Sequence, residues 1–112
     1  MALEVNGKTI ELDSNGNLVD PTQWDEEVAK KLAEIEGIEL TQEHIDVLAY
    51  LREEYFDNNG SQPMERVILK EMSKRWGKKL SSKDMYNLFP LAPSKQGNRV
   101  AGLPHVNRKG GY

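Results

Sequence analysis

The sequence predicts an α+β domain that is mainly α-helical, with an N-terminal β-hairpin packed on a bundle of four or five helices. Three observations lead to this fold class. An Asn-Gly pair near the N-terminus lies between two short runs that alternate in period two. Apolar residues recur at helical spacing in several later segments. Capping residues, glycine or proline flank most of these segments, which limits each to the length of one helix.

The opening ALEVNGKTIEL predicts the hairpin. Asn6-Gly7 suits a two-residue type I′ turn because both positions tolerate positive φ. Pairing Val5 with Lys8 puts the apolar residues of this region on one face, namely Leu3, Val5, Ile10 and Leu12. Two strands with one apolar face are not stable alone, so we expect the hairpin to lie on helices.

Two helices are predicted in the first half of the chain. The first begins after Asp20, with Pro21 at its first position, and ends at Gly37. Its apolar residues are Trp24, Val28, Leu32 and Ile35. The second covers about residues 42 to 57 and is capped by Thr41. Its apolar side is predicted to contain Ile45, Leu48, Ala49, Leu51, Tyr55 and Phe56.

Three further helices are predicted in the second half. Pro63 opens the third, which ends at Gly77 and has a stripe of Met64, Val67, Ile68, Met72 and Trp76. Ser81 or Ser82 caps a short fourth helix that Pro90 closes, with Met85, Leu88 and Phe89 as its apolar residues. Pro93 opens a fifth helix, for which Gly102 is the predicted C′ residue.

Composition limits the function. The chain has 112 residues, 38% of them hydrophobic, and is predicted to form one globular domain. It has no cysteine, which excludes disulfides, thiolate metal sites and thiol nucleophiles. The N-terminus has no apolar run long enough for a signal peptide or membrane span. We expect a cytoplasmic monomer that does not associate with membranes.

The net charge of −3 hides two halves of opposite sign. Residues 1 to 57 contain 15 acidic and 4 basic residues, a net −11, whereas residues 58 to 112 contain 3 acidic and 11 basic residues, a net +8. A basic half can bind nucleic acid or an acidic protein, and its field would steer either one. Two solvated faces of opposite charge are the simpler interpretation.

No constellation of residues predicts catalysis or metal binding. His44 lies near the start of the second helix, where a surface or capping role is expected, and His105 lies in the tail. Two separate histidines without cysteine do not provide the three or four converging ligands of a metal site. The glycines at 97, 102, 110 and 111 do not form a phosphate-binding loop. We therefore predict no enzyme activity, no metal and no cofactor.

A basic cluster is the candidate nucleic-acid site. It spans the end of the third helix, the turn at Gly77 and the start of the fourth helix, and consists of Lys70, Lys74, Arg75, Lys78, Lys79 and Lys83. This order is similar to a helix-turn-helix. The second helix, SKDMYNLF, has few long polar side chains to read base edges, so phosphate attraction is the stronger expectation.

Motifs along nearly the whole chain, from Leu3 to Pro104, resemble the DsrC/TusE family of sulfur-relay proteins. They are LEVNGKTIELDSNGNLVD, EEVAKKLAEIEGIELTQEH, YLREEYFDNNGSQPMERVILK, YNLFPLAPSKQ and RVAGLP. The resemblance implies the DsrC-like fold, a small helical bundle with an N-terminal hairpin and a flexible C-terminal arm. It divides the chain into a domain of residues 1 to 104 and a flexible tail of residues 105 to 112.

The resemblance also implies how the family works. An arm that carries a cysteine near its end, and in many members a second cysteine after the KQ motif, inserts into a partner and transfers sulfur. The implied partners are dissimilatory sulfite reductase, for which one family member is a gamma-subunit-like protein, sulfurtransferases of the DsrE/TusD type, and an enzyme that thiolates transfer RNA.

The cysteines of that pattern are missing from this chain. Asn98 stands at the upstream position, and the terminal position falls at Lys109 when counted from AGLP or at Gly111 when counted from the C-terminus. The motif makes Arg99, Gly102, Leu103 and Pro104 the base of a partner-docking arm, and Arg108 adds positive charge further along. Neither Asn nor Lys can form a persulfide.

Three hypotheses follow. The first is a regulatory or docking module for sulfur-relay partners that has lost the sulfur-carrying cysteines. The second is a DNA-binding transcriptional regulator that uses the basic helix-turn-helix-like segment. The third is a sulfur carrier whose cysteines were replaced by engineering. This hypothesis is weaker because the whole tail differs from the family pattern, not only the two cysteine positions.

Overall fold

The computed structural model describes residues 2–105. Its N-terminal hairpin consists of β1 (Ala2–Val5) and β2 (Lys8–Glu11), paired antiparallel with Leu3 opposite Ile10 and Val5 opposite Lys8. Asn6 and Gly7 have φ of 50° and 78°, as a type I′ turn requires. The predicted hairpin, its register and its turn are therefore confirmed.

The turn after β2 places Asn17 in the interior. The Asp13 carboxylate accepts hydrogen bonds from the backbone N–H groups of Asn15 and Asn17, at 2.8 and 3.0 Å. This tight turn brings Leu18 back to form a bridge with Leu12, and the side chain of Asn17 becomes buried.

The first helix begins later than predicted. Asp20 caps only a short 3-10 turn, Pro21–Gln23, after which the backbone at Trp24 is extended. A second cap, Asp25, accepts the N–H of Val28 at 2.9 Å and begins α1 (Glu26–Glu36). The prediction that Asp20 and Pro21 begin this helix was wrong because two capping sites occur five residues apart, and the second starts the longer helix.

The buried stripe of α1 also differs from the prediction. It consists of Val28, Ala29, Leu32 and Ala33, whereas Ile35 is 53% exposed. Two alanines complete the stripe because small side chains allow close packing of the neighbouring element, α5, and Ile35 then lies at the border of the stripe.

The second helix, α2, covers Gln42–Asp57 with Thr41 as its cap, as predicted. Its buried residues include Val47, Leu48, Tyr50 and Leu51. The predicted apolar side was too wide: Ala49 is exposed and Phe56 is 47% exposed. Both lie beyond the side of the helix that faces the core, which is centred on positions 47, 48 and 51.

The next two helices are α3 (Glu65–Trp76) and α4 (Ser82–Leu88). Pro63 lies before the cap Met64, so the prediction that Pro63 itself opens the helix placed the start about two residues early. Val67 is 43% exposed and is not a core residue, because the buried positions of α3 are Ile68 and Met72. Ser81 caps α4 through a reciprocal bond pair with Asp84.

The last helix, α5, is only Gln96–Val100. Pro93 forms part of a turn before it rather than its first position, which corrects the predicted start. The helix packs between α1 and α2, and the hairpin packs on α1. A Cβ atom at Gly97 would lie 3.1 Å from Leu51 Cδ1, which shows how closely α5 approaches α2.

The predicted architecture, a hairpin on a bundle of four or five helices, is confirmed, and residues 2–105 contain five α-helices. The core draws on both strands and all five helices. Among residues 2–105, every helix is too short or too polar to cross a lipid bilayer.

Candidate functional site

The C-terminal junction, which we define as residues 96–104, joins α5 to the tail. The chain turns sharply at Gly102, which has φ of +69°. The N–H of Gly102 donates to Arg99 O at 3.1 Å, and the N–H of Leu103 donates to Asn98 O at 3.0 Å. Gly102 thus ends the helix in the left-handed conformation predicted for a C′ glycine.

Four side chains from four other segments hold the backbone of the junction. Each donates to a different carbonyl oxygen, at 2.8 to 2.9 Å. The pairs are Trp24 Nε1 with Val100 O, Arg52 Nη1 with Ala101 O, Asn17 Nδ2 with Leu103 O, and Gln62 Nε2 with Pro104 O. Because carbonyls at a helix end lack helical partners, these donors fix the point at which the chain leaves the domain.

An ion pair ties the junction to α1. The guanidinium of Arg99 donates from Nε to Glu36 Oε2 at 3.0 Å and from Nη2 to Glu36 Oε1 at 2.9 Å. Gln96 Nε2 also donates to this carboxylate, at 3.1 Å. Burial raises the pKa of Glu36, but the hydrogen bonds from Arg99 and Gln96 and the charge of Arg99 outweigh it, so that the net pKa is lowered.

The tryptophan and arginine of the junction also pack on each other. The Arg52 guanidinium carbon lies 4.4 Å from the centre of the Trp24 ring. Its Nη2 donates to Pro21 O at 2.9 Å, so one side chain links the 3-10 turn, the Trp24 ring and the end of α5. This contact sets the position of the ring against which Gly102 lies.

Asn98, the predicted match to the upstream cysteine position, is fully buried in α5. Its Nδ2 donates to Ser94 O, one turn earlier. Its Oδ1 has no hydrogen-bond partner within the described part of the protein. An amide has no nucleophilic sulfur and cannot form a persulfide, so position 98 supplies no carrier chemistry.

His44 is a structural residue, in agreement with its predicted capping role. Its Nδ1 accepts the N–H of Thr41 at 3.0 Å, and its Nε2 lies 2.8 Å from Leu88 O, to which the Nε2–H tautomer donates. The ring also contacts Phe89 edge to face, with 5.2 Å between ring centres. His44 is buried rather than on the surface, so only the capping part of the prediction is confirmed. Within residues 2–105, no group of His, Cys, Asp and Glu side chains could hold a metal ion.

The predicted basic cluster separates into two groups. Arg75 pairs with Glu53 at 3.0 Å and Glu71 at 2.7 Å, and Lys78 pairs with Glu43 at 3.4 Å. The other four side chains, Lys70, Lys74, Lys79 and Lys83, are exposed and form no ion pair with an acid of the described chain. The cluster thus presents fewer unpaired charges than the sequence suggests.

Several predicted site residues belong to the tail. Arg108, Lys109 and Gly111 lie outside the described residues, as does the predicted flexible tail apart from His105. The remaining predicted arm residues, Arg99, Gly102, Leu103 and Pro104, come together at the junction. Sequence reasoning missed the donors Asn17, Arg52 and Gln62, since no local pattern marks a residue whose partner is more than 40 positions away.

Comparison with known proteins agrees with this arrangement. Residues 4–108 match the family described as DsrC like protein. Sulfurtransferase TusE of Pectobacterium atrosepticum is 44% identical over 103 residues, which are 91% of this chain and 94% of that protein. Sulfurtransferase TusE of Escherichia coli K12 is 42% identical over 99 residues, 88% of this chain and 90% of that protein.

Solved structures show the same fold. The Allochromatium vinosum DsrC structure has a TM-score of 0.87 at 40% identity and covers 96% of this chain and 98% of its own. The oxidized gamma-subunit of the dissimilatory sulfite reductase (DsrC) from Archaeoglobus fulgidus has the same TM-score and coverage at 36% identity. With its hairpin, five helices and matching motifs, this chain belongs to the DsrC-like family of sulfur-relay proteins.

Proposed function

We propose that this chain is a docking or regulatory member of its family that carries no sulfur itself. It would act in the cytoplasm by occupying the site on sulfite reductase or on a DsrE/TusD-type sulfurtransferase that a cysteine-bearing relative uses. One observation carries the proposal: the junction is fully assembled in a chain that has no cysteine. Under this proposal, docking and sulfur transfer are separate properties, and this chain retains only docking.

The assembled junction supports the docking half of the proposal. A fixed starting point limits the orientations of the segment that follows the junction, which reduces the conformational entropy that such a segment loses when it binds. Leu103 and Pro104 have their carbonyls held, so the arm would leave the domain in a set direction. Arg108 and Lys109 would then meet the partner with positive charge.

The missing thiol supports the second part of the proposal, that this chain carries no sulfur. Sulfur transfer needs a thiolate that attacks a persulfide and receives its outer sulfur, and neither Asn98 nor Lys109 or Gly111 offers one. A docked chain of this kind would block the partner without accepting sulfur. It would lower sulfur flow when the chain is in excess over its cysteine-bearing relative.

A competition experiment tests this proposal. A TusE relative is loaded with sulfur by a DsrE/TusD-type sulfurtransferase while this chain is added in increasing excess. We expect loading of the relative to fall while the intact mass of this chain stays unchanged. The charge-reversed variant Arg108→Glu/Lys109→Glu is expected to compete about tenfold less well, which corresponds to roughly 1.4 kcal/mol.

Two results would contradict the proposal. A gain of one sulfur atom in the mass of this chain would mean that it carries sulfur. Unchanged sulfur loading of the TusE relative at high excess would mean that this chain does not dock on the sulfurtransferase. The same competition with sulfite reductase would then test whether it docks on that protein. Lys30→Glu/Lys31→Glu, at two exposed positions of α1 that do not contact the junction, is the matched control for the charge change.

DNA binding is the second candidate function. It is favoured by the four exposed lysines that form no ion pair within the described chain, Lys70, Lys74, Lys79 and Lys83. Phosphate contacts through these side chains would give a mobility shift with duplex DNA that weakens steeply as salt rises. The absence of a shift at low ionic strength would exclude this function.

A further inference from the structure

An apolar groove separate from the junction lies between α3 and α4. Its volume is about 250 Å³, and it is lined by Glu65, Arg66, Leu69, Ser82, Met85 and Tyr86. Tyr86 is 40% exposed, and Leu69 is only partly buried. Small-molecule sites usually enclose about 300 to 1,000 Å³, so this groove suits one or two side chains of a protein better than a cofactor.

Three basic side chains lie on or beside the groove. Arg66 lines it, and Lys70 follows one helical turn later on the same side of α3. On α4, Lys83 lies three residues before Tyr86. Arg66 and Lys70 form no ion pair with an acid within residues 2–105.

The carboxylates near the groove are already committed to the fold. Glu65 Oε1 accepts the N–H of Ser94 at 2.6 Å, and Asp84 Oδ2 accepts the N–H of Ser81 at 2.8 Å as part of the α4 cap. These hydrogen bonds hold both carboxylates in place without removing their negative charge, so the three basic groups Arg66, Lys70 and Lys83 exceed the two acids by one charge. The groove therefore combines an apolar floor with a rim of net positive charge, in which the carboxylates are held by the fold and Arg66 and Lys70 form no ion pair among residues 2–105.

The chain's own parts are poor occupants of this groove. The tail, residues 106–112, contains Arg108 and Lys109 and no acid, so the rim would repel it. The acidic α2 of a second copy is a better match in charge. However, a contact between α2 of one copy and the groove of the next is head to tail, and such contacts form rings or open chains rather than simple dimers.

We propose that the α3–α4 groove binds an acidic segment of a partner protein, which inserts apolar side chains over Leu69, Met85 and Tyr86 while its carboxylates face Arg66, Lys70 and Lys83. The inference rests on the proposed docking function but assigns it a second surface. Nucleic acid would satisfy the rim, but its phosphates would leave the apolar floor without a partner. An acidic amphipathic helix satisfies both.

A peptide titration tests the groove. The probe is a fluorescent helical peptide of about 16 residues, long enough to form a helix, with leucines along one face and glutamates elsewhere. Two control peptides replace the leucines by serine or the glutamates by lysine. We expect the intact chain to bind the first peptide at least about tenfold more tightly than either control, since burial of a few anchors dominates such interfaces.

Variants of the intact chain locate the site. Tyr86→Ser and Lys70→Glu/Lys83→Glu are each expected to weaken binding about tenfold or more. Phe56→Ser and Lys8→Glu/Lys30→Glu make the same changes at exposed positions elsewhere and should leave binding unchanged. Amide shifts of the unmodified chain on peptide addition should centre on Leu69, Ser82, Met85 and Tyr86, which locates the site without any variant.

Four results would overturn the inference. If the serine peptide binds as tightly as the leucine peptide, the apolar floor does not contribute to binding. If Tyr86→Ser binds the peptide unchanged and the amide shifts lie elsewhere, the groove is not the binding site. If a 20-base-pair DNA duplex binds more tightly than the acidic peptide and Tyr86→Ser does not weaken that binding, the basic side chains of the rim bind nucleic acid instead. Self-association in sedimentation that Tyr86→Ser abolishes would assign the groove to a second copy. The sulfur-loading competition depends on Arg108 and Lys109, so these failures and its own are distinguishable.

Discussion

Substitution of Gly102 by alanine is expected to destabilise the domain by about 2 to 5 kcal/mol. Two costs combine. The φ of +69° at this residue costs an L-amino acid roughly 1 to 2 kcal/mol. A Cβ atom there would lie 2.3 Å from Trp24 Cδ1 and 2.8 Å from Cγ, and such overpacking costs about 1 to 3 kcal/mol. Trp24 can yield only by moving the ring that donates to Val100 O.

The measurement is urea unfolding followed by circular dichroism, for which small domains have total stabilities of about 5 to 15 kcal/mol. Gly77→Ala is the matched control. Gly77 has φ of +63° at the end of α3, but nothing lies within 4 Å of its would-be Cβ atom. Gly77→Ala should therefore lose only the roughly 1 to 2 kcal/mol of stability that the positive φ costs. Equal losses in the two variants would show that the Trp24 contact does not restrict position 102.

Replacement of Glu36 by glutamine is expected to cost about 2 kcal/mol at neutral pH. The glutamate and Arg99 side chains are 15% and 20% exposed, so the change leaves a largely buried guanidinium without its counter-charge. Breaking a fully buried pair costs roughly 3 to 5 kcal/mol, and the remaining exposure reduces this value. Glu53→Gln is the control, because Glu53 is 53% exposed in its pair with Arg75 and such pairs contribute about 0 to 1 kcal/mol.

The pH dependence of this difference follows from the lowered pKa of Glu36. A carboxyl whose pKa is lower in the folded state contributes stability above its ordinary value of 4.5, and that contribution is lost as the pH falls below it. The gap in unfolding free energy between the unmodified chain and Glu36→Gln should therefore be full at neutral pH and shrink in acid. A gap that stays constant down to pH 3 would show that charge is not its source.

Local features of the fold were predictable from the sequence because their causes lie within a few residues. The hairpin register follows from Asn6-Gly7 and the alternation around it. The caps at Thr41 and Ser81 and the C′ glycine at 102 depend on bonds to residues three to five positions away. The errors arose where two local signals competed, as for the caps Asp20 and Asp25, or where packing chose one side of a helix, as at Ile35 and Val67.

The sequence by itself determined the family, through motifs spread along the chain, and the lack of carrier chemistry, because a chain without cysteine has no thiol in any conformation. Only the tertiary structure decided how the junction is held and where the α3–α4 groove lies. The four donors to the junction are 42 to 86 residues away from the carbonyls that they contact. Such pairs have no sequence pattern, since they meet only when the chain folds and α5 packs between α1 and α2.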